Sequence, residues 1–146
     1  MFKKLLLVCV GNICRSPTAE ILMRHRLQGR AGVEVASAGL QALVGRPIDP
    51  TAAELLREAG LDPDGHRARQ ASPSVLAAAD LVLVMEQAHL SRITREVPQV
   101  SGKTFLLGKW RGGREIPDPY RQQRAAFEHV YGLIDDCVAG WAPYIK

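Results

Sequence analysis

Long apolar runs are missing from the 146 residues: none approaches the ~20 residues that a membrane-spanning helix needs. Lys3-Lys4 followed by Leu5 to Val10 has the outline of a secretory signal, but its apolar part is too short. Asn12 and Arg15 break the pattern immediately downstream, so neither export by this segment nor membrane insertion is expected. Cysteine is scarce: three residues, an odd number with two of them in one short stretch, make no disulfide framework and suit a reducing cytoplasm. Dense charge is absent as well. The net charge of +4 is spread without a basic run, which fits an anionic substrate and gives no argument for nucleic acid. No group of His, Cys, Asp and Glu has metal-ligand spacing, so no metal and no other cofactor is expected. Repeats, low-complexity tracts and linkers are lacking, and the length is that of one domain, 1–146, large enough for a real core.

What the chain does have is concentrated near its start, in Cys9-Val10-Gly11-Asn12-Ile13-Cys14-Arg15-Ser16-Pro17. The apolar run Leu5-Leu6-Leu7-Val8 before it has the character of a fully buried strand. After it, Ser16 is placed to cap a helix with Pro17 at the first helical position. A loop that closes onto a helix N-terminus turns successive backbone N–H groups inward and makes an anion cradle. Gly11 lets such a loop take angles other residues resist, and Asn12 tolerates a left-handed conformation. Cys9 and Arg15 frame the loop as Cys-x5-Arg. The cradle and Arg15 stabilise a thiolate at Cys9, while the planar fork of Arg15 suits two oxygens of a phosphate. Ser16, beside Arg15, is also placed to donate its hydroxyl to that sulfur. The competing reading is a buried strand-end cysteine with an unrelated arginine six positions later.

The remainder alternates strand and helix patterns. Helices are predicted over Thr18 to Gln28, Thr51 to Ala59 (opened by Asp49-Pro50, closed by Gly60), a short stretch from Ser72-Pro73, Gln87 to Arg95, and Gln122 to Ala139. The last places Phe127, Val130, Tyr131 and Ile134 on one face. Strands are predicted at Val33 to Ser37, Leu81 to Met85 and Lys103 to Leu107. Alternation of this kind implies a parallel sheet covered on both faces, with ligands beyond the carboxyl ends of the strands, where the Cys9 loop leaves the first one.

Three Asp-Pro pairs occur, at Asp49, Asp62 and Asp118. Asp before Pro is a common helix cap, so the residues alone leave open which of them, if any, serves as an acid.

The loop Cys9 to Pro17 resembles the phosphate loop of the low-molecular-weight protein tyrosine phosphatases and matches it throughout, and Asp118-Pro119-Tyr120 resembles that family's downstream acid motif. Length and motif order are similar over essentially the whole chain. Ser37-Ala38-Gly39-Leu40 and Val44-Gly45 resemble the bacterial branch associated with exopolysaccharide or capsule export. The resemblance implies a three-layer α/β/α sandwich with a four-stranded parallel sheet in the order 2-1-3-4. It implies phosphate binding by Val10, Gly11, Asn12, Ile13, Cys14 and Arg15, and it singles out Asp118 among the Asp-Pro pairs. Asn12, Ser37 and His66 match polar groups that hold the family's loop in shape. His25, His89 and His129 are read as structural, and Arg111, Arg114, Arg121 and Arg124 as a solvated face that an acidic phosphotyrosine tail could meet. Animal members build one pocket wall with an aromatic residue after the second strand; Leu40 stands at that place here, with Tyr120 as the other wall.

The implied chemistry has two steps. Cys9 attacks phosphorus while Arg15 and the loop N–H groups stabilise the equatorial oxygens, and Asp118 protonates the departing tyrosine oxygen. Asp118 then activates water against the phosphocysteine. The substrate implied is a phosphotyrosine protein, specifically an autophosphorylating bacterial tyrosine kinase of polysaccharide export. Three rivals stand beside it. An arsenate reductase-like redox enzyme shares the fold but relays a disulfide through two further cysteines, and only Cys137 remains. A phosphocarrier module needs neither Arg15 nor Asp118, and a non-catalytic phosphotyrosine-binding domain needs no Cys9.

Overall fold

The first strand sets the frame because every residue of Leu5 to Cys9 is buried. The computed structural model describes residues 2–146. In chain order they form β1 (Lys4–Cys9), α1 (Arg15–Arg26), β2 (Glu34–Gly39), α2 (Pro50–Glu58), α3 (Pro73–Ala78), β3 (Leu81–Val84), α4 (Gln87–Glu96), β4 (Thr104–Leu106) and α5 (Arg124–Trp141). Short 3₁₀ turns follow α4, β4 and α5. The sheet runs β2-β1-β3-β4 with every pair parallel, the order the resemblance implied.

Alternate residues of β1 and β3 point to opposite faces, and both faces are covered. Leu5, Leu7, Cys9, Leu81 and Leu83 pack with Leu22 and Met23 of α1, Leu56 of α2, and Val130 and Ile134 of α5. Leu6, Val8, Val82 and Val84 pack with Leu76 of α3 and Ile93 of α4. Each such side chain contributes about 1.5–3 kcal/mol relative to exposure, so the centre of the sheet is the rigid part of the molecule. Of the face expected on α5, Phe127, Val130 and Ile134 are buried, whereas Tyr131 is half-buried at its edge.

Because all four strands run the same way, Cys9, Gly39, Val84 and Leu106 end at one edge. β2 extends two residues beyond its expected end, and this brings Gly39 level with Cys9. The extension requires glycine: a Cβ there would lie 2.3 Å from the Val10 carbonyl oxygen and 3.0 Å from Asn12 Cβ.

The start of α1 differs from expectation. The helix begins at Arg15 rather than Thr18, Cys14 occupies the capping position without a side-chain bond, and Ser16 lies inside the first turn. Pro17 is the third helical residue, where the missing N–H is still among those without an intrahelical partner. α2 and α3 follow the ordinary rule. Asp49 accepts from Thr51 N and Ala52 N, and Ser72 accepts from Val75 N, each with proline at the start of the helix.

Candidate active site

The loop between β1 and α1 is held from outside by its carbonyls. Those of Cys9, Val10 and Gly11 accept from the N–H groups of Leu40, Gln41 and Leu43 at 2.9, 2.9 and 3.0 Å. The Ile13 carbonyl accepts from Asp49 N at 2.7 Å, and that of Cys14 from Thr18 N at 3.1 Å. Asn12 O accepts from His66 Nε2 at 2.7 Å, which places a proton on that ring nitrogen. With its carbonyls turned outward, the loop presents its N–H groups on the other side. Among the described residues none accepts from the N–H of Gly11, Asn12, Ile13 or Cys14. These residues line a cavity of about 180 Å³ together with Cys9, Val10, Arg15, Gln41, Leu43, Asp118 and Tyr120.

Asn12 locks the loop's shape. Its φ of 58° is the left-handed conformation its short amide tolerates. Its side chain donates to Ser16 Oγ at 2.8 Å and Ser37 Oγ at 3.0 Å, and accepts from Arg69 N at 2.9 Å. Ser37 in turn donates to Glu20 Oε1 at 2.5 Å. Asn12, Ser16 and Ser37 are each at most 4% exposed, so this is a saturated buried network of the kind that fixes one geometry. Gly11 carries less than expected. It is not among the residues with positive φ, and a Cβ there would make only ordinary contacts at 3.7 Å or more, because Asn12 supplies the reversal instead.

Arg15 is 2% exposed. Its Nη1 is taken by Glu86 Oε2 at 2.5 Å and by the Ile116 carbonyl at 2.8 Å. Nη2 lies 3.8 Å from Asp118 Oδ2, and the described residues give Nε no hydrogen bond, so one edge of the fork faces the cavity. Buried charge of this kind persists only when paired on its remaining sides, which Glu86 and Ile116 accomplish. Ser16 Oγ lies 2.9 Å from Cys9 Sγ. Asp118 is half exposed; its Oδ1 accepts from Tyr120 N at 3.0 Å, which leaves Oδ2 toward Arg15 and the cavity.

The three Asp-Pro pairs now separate. Asp49 caps α2, Asp62 accepts from Asp64 N in a surface turn, and Asp118 lines the cavity with Cys9. Leu40 is a correction. It is 6% exposed, packs in the cluster with Val8 and Val84, and does not line the cavity, because the chain turns after it and presents Gln41 and Leu43 instead. Tyr120 does line the cavity, opposite in chain origin to Leu43. Arg111 and Arg124 pair with Asp136 and with Glu54 and Glu58, so they tie α5 to its surroundings. Arg121 lies over the Tyr120 ring at 5.3 Å.

Glu86, Gln41, Leu43 and Glu20 were missed from the sequence. Glu86 had a usable signal, since it follows the end of β3 by two residues and so falls at the same sheet edge as the loop. His89 is not a plain core residue either: its Nε2 lies 3.4 Å from Glu86 Oε2. Burial, then the charge of Arg15, holds its ring below the ordinary histidine range against the pull of Glu86, Glu115 and Asp118. Burial, then Cys9, Asp49 and Asp118, pushes the Cys14 thiol far up, with Arg15 opposing.

The arrangement offers a sulfur nucleophile at the floor of a cavity, donors for a tetrahedral oxyanion around it and a carboxyl at its mouth. Residues 4–146 match the family described as low molecular weight phosphotyrosine protein phosphatase. The chain belongs to this family. It is accordingly a protein-tyrosine phosphatase of the low molecular weight type. Among its relatives, the low molecular weight protein-tyrosine-phosphatase Etp of Escherichia coli strain K12 is 45% identical over 97% of this chain and 93% of its own. The corresponding Wzb of Salmonella typhimurium is 46% identical over 97% and 93%. Among solved structures, Vibrio vulnificus Wzb in complex with benzylphosphonate superposes with a TM-score of 0.93 at 43% identity, covering 99% of this chain and all of that one. No helix among the described residues is long and apolar enough to cross a membrane.

Proposed function

We propose that residues 1–146 act as one domain that hydrolyses phosphotyrosine through a phosphocysteine intermediate, its protein substrate being a bacterial tyrosine kinase of polysaccharide export. The observation that carries the chemistry is the outward-turned set of loop carbonyls, which leaves the N–H groups without acceptors in a loop that lines one cavity with Cys9 and Arg15. Cys9 forms a bond to phosphorus as the bond to the tyrosine oxygen breaks, and Asp118 gives that oxygen its proton. Loop N–H groups and Arg15 hold the three equatorial oxygens throughout. Asp118, now a carboxylate, removes a proton from a water that attacks phosphorus, and the sulfur leaves as thiolate with inorganic phosphate released. The tyrosyl ring passes between Leu43 and Tyr120, the two large apolar groups at the cavity mouth. Relatives whose names record complexes with benzylphosphonate and with sulphate support an aryl phosphate in such a loop. The kinase substrate and a cytoplasmic setting rest on the likeness to Etp and Wzb and on three unpaired cysteines.

The test is turnover of p-nitrophenyl phosphate and of a phosphotyrosyl peptide, in chelator and without reductant. Many turnovers per molecule are expected. A single stoichiometric phosphorylation would indicate a carrier, and dependence on a thiol reductant a redox enzyme. Cys9→Ser abolishes turnover because a neutral hydroxyl is a poor nucleophile. Arg15→Lys costs about 10²–10³ in kcat, since a point charge cannot reproduce the planar fork.

A further inference from the structure

One oxygen of Glu86 serves two neighbours. Its Oε2 lies 2.5 Å from Arg15 Nη1 and 3.4 Å from His89 Nε2. Glu86 stands at the capping position of α4 yet makes no cap bond; Glu115 accepts from Gln87 N at 2.7 Å instead, which frees Glu86 for these two contacts. His89 is 6% exposed, and its Nδ1 is buried with no hydrogen-bond partner among the described residues. A nitrogen that faces a carboxylate carries the proton, so in the neutral ring Nε2 is the N–H and Nδ1 the bare lone pair. The charged groups that face the ring are Arg15 from α1, Glu86 from its own helix start, and Glu115 and Asp118 from the segment before α5. Burial and Arg15 outweigh the three carboxylates and hold the ring below the ordinary histidine range, which favours its neutral form.

We propose that His89 is a positioning residue for Arg15, joined to it through the shared oxygen of Glu86, so that a tetrahedral dianion in the loop and a proton on the imidazole favour one another. This rests on the reading of the loop as a phosphate site. A dianion on the open edge of Arg15 cancels the positive charge that opposes the imidazolium and draws the guanidinium toward itself, leaving Glu86 for His89. The linkage is reciprocal: an imidazolium that occupies Glu86 releases the charge of Arg15 to the anion. Anion affinity therefore rises as pH falls through the His89 titration. Above it, the neutral ring leaves Glu86 set against Arg15, and product phosphate is held less tightly.

Ring ¹⁵N shifts of His89 in the full chain, followed against pH with and without sulfate, test this. Sulfate is the probe because it stays dianionic across the histidine range, where phosphate itself titrates. The midpoint is expected to rise by about one unit at saturating sulfate, a tenfold gain in proton affinity. Glu86→Gln should remove most of the rise. In parallel, His89→Gln keeps a neutral donor that cannot titrate, and its sulfate inhibition constant should change less with pH than that of the wild type. A midpoint indifferent to sulfate, an undiminished rise in Glu86→Gln, or inhibition in His89→Gln that tracks the wild type across pH would each overturn the proposal. If wild-type turnover is abolished by Cys9→Ser and sulfate competes while His89 stays still, this inference alone falls; absence of both turnover and sulfate binding overturns it together with the phosphate-site reading.

Discussion

Ser16 Oγ lies 2.9 Å from Cys9 Sγ, and the same hydroxyl accepts from Asn12 Nδ2 at 2.8 Å. Because an amide N–H occupies one of its lone pairs, the serine's own proton is available to the sulfur. Asn12 thus does two things at once: it closes the loop and it aims a donor at the nucleophile.

Replacing that donor tests the arrangement. A hydrogen bond to a charged group contributes about 1.5–3 kcal/mol, so Ser16→Ala is expected to lower kcat by roughly 10–100-fold. The rate of Cys9 alkylation by iodoacetate at neutral pH should fall in parallel. Unchanged alkylation would mean that the hydroxyl serves only Asn12 and the Ala38 carbonyl, its weaker contact at 3.4 Å.

Among the three Asp-Pro pairs, only the one in the cavity should matter to chemistry. Asp118→Asn is expected to cut kcat by about 100-fold or more, the scale of general acid catalysis, and the loss should shrink for aryl phosphates whose leaving groups need no proton. Asp49→Asn leaves the cap largely in place, and Asp49→Ala costs about 1 kcal/mol of stability without a comparable loss of kcat. A crippling Asp49→Asn would move the acid to the wrong side of the loop.

The sequence was informative where one residue dictates its own surroundings. The run Leu5 to Val8 has only one comfortable place, the middle of a covered sheet, and Asn12 in a tight loop before a helix reads as a left-handed position. It was uninformative where a side chain's role depends on how far a strand continues. β2 runs on to Gly39, which carries Leu40 into the core and delivers Gln41 and Leu43 to the cavity; no periodicity in Val33 to Ser37 announces those two extra residues. Glu86 could be placed at the loop's edge of the sheet, but its partner and the role of His89 could not be read. Glu86 meets Arg15 across 71 positions, a separation that only the parallel pairing of β1 with β3 closes, and His89 reaches Arg15 only through Glu86. Ser16 reads in the sequence both as a cap and as a donor; the helix start at Arg15 puts it inside the first turn and excludes the cap, while the contact with Cys9 stands.

Gly39 offers a test of the packing between β2 and the loop. Gly39→Ala would set a Cβ 2.3 Å from the Val10 carbonyl oxygen, which is backbone and cannot swing aside. A cost of about 1–3 kcal/mol is expected, typical of overpacking. Since the strain falls on the loop, sulfate affinity should drop by a larger factor than unfolding stability explains. Equal sulfate affinity in the folded variant would show that the loop accommodates the methyl group without moving its N–H donors.

Peroxide should inactivate the protein reversibly, with Cys14 as the reason. A thiolate at Cys9 attacks peroxide, releasing hydroxide and leaving a sulfenic acid. Cys14, five residues on in the same short loop, can condense with it to a disulfide, expelling water and sparing the sulfur from irreversible oxidation. The competing role for Cys14 is packing alone, in the cluster with Leu22 and Val130. Its thiol is held well above the ordinary range by burial and by the negative charge of Cys9, Asp49 and Asp118. Conversion to the sulfenic acid removes the first of those charges, and closure should still quicken as pH rises, because more of Cys14 is then thiolate. Cys137 is buried in α5, with Asp136, Arg111 and Arg114 as its charged neighbours. Peptide mapping after peroxide, followed by thiol rescue, is expected to show a Cys9–Cys14 link and full recovery in the wild type, with poor recovery in Cys14→Ser. Equal recovery in Cys14→Ser, or a link through Cys137, would leave Cys14 with its packing role only.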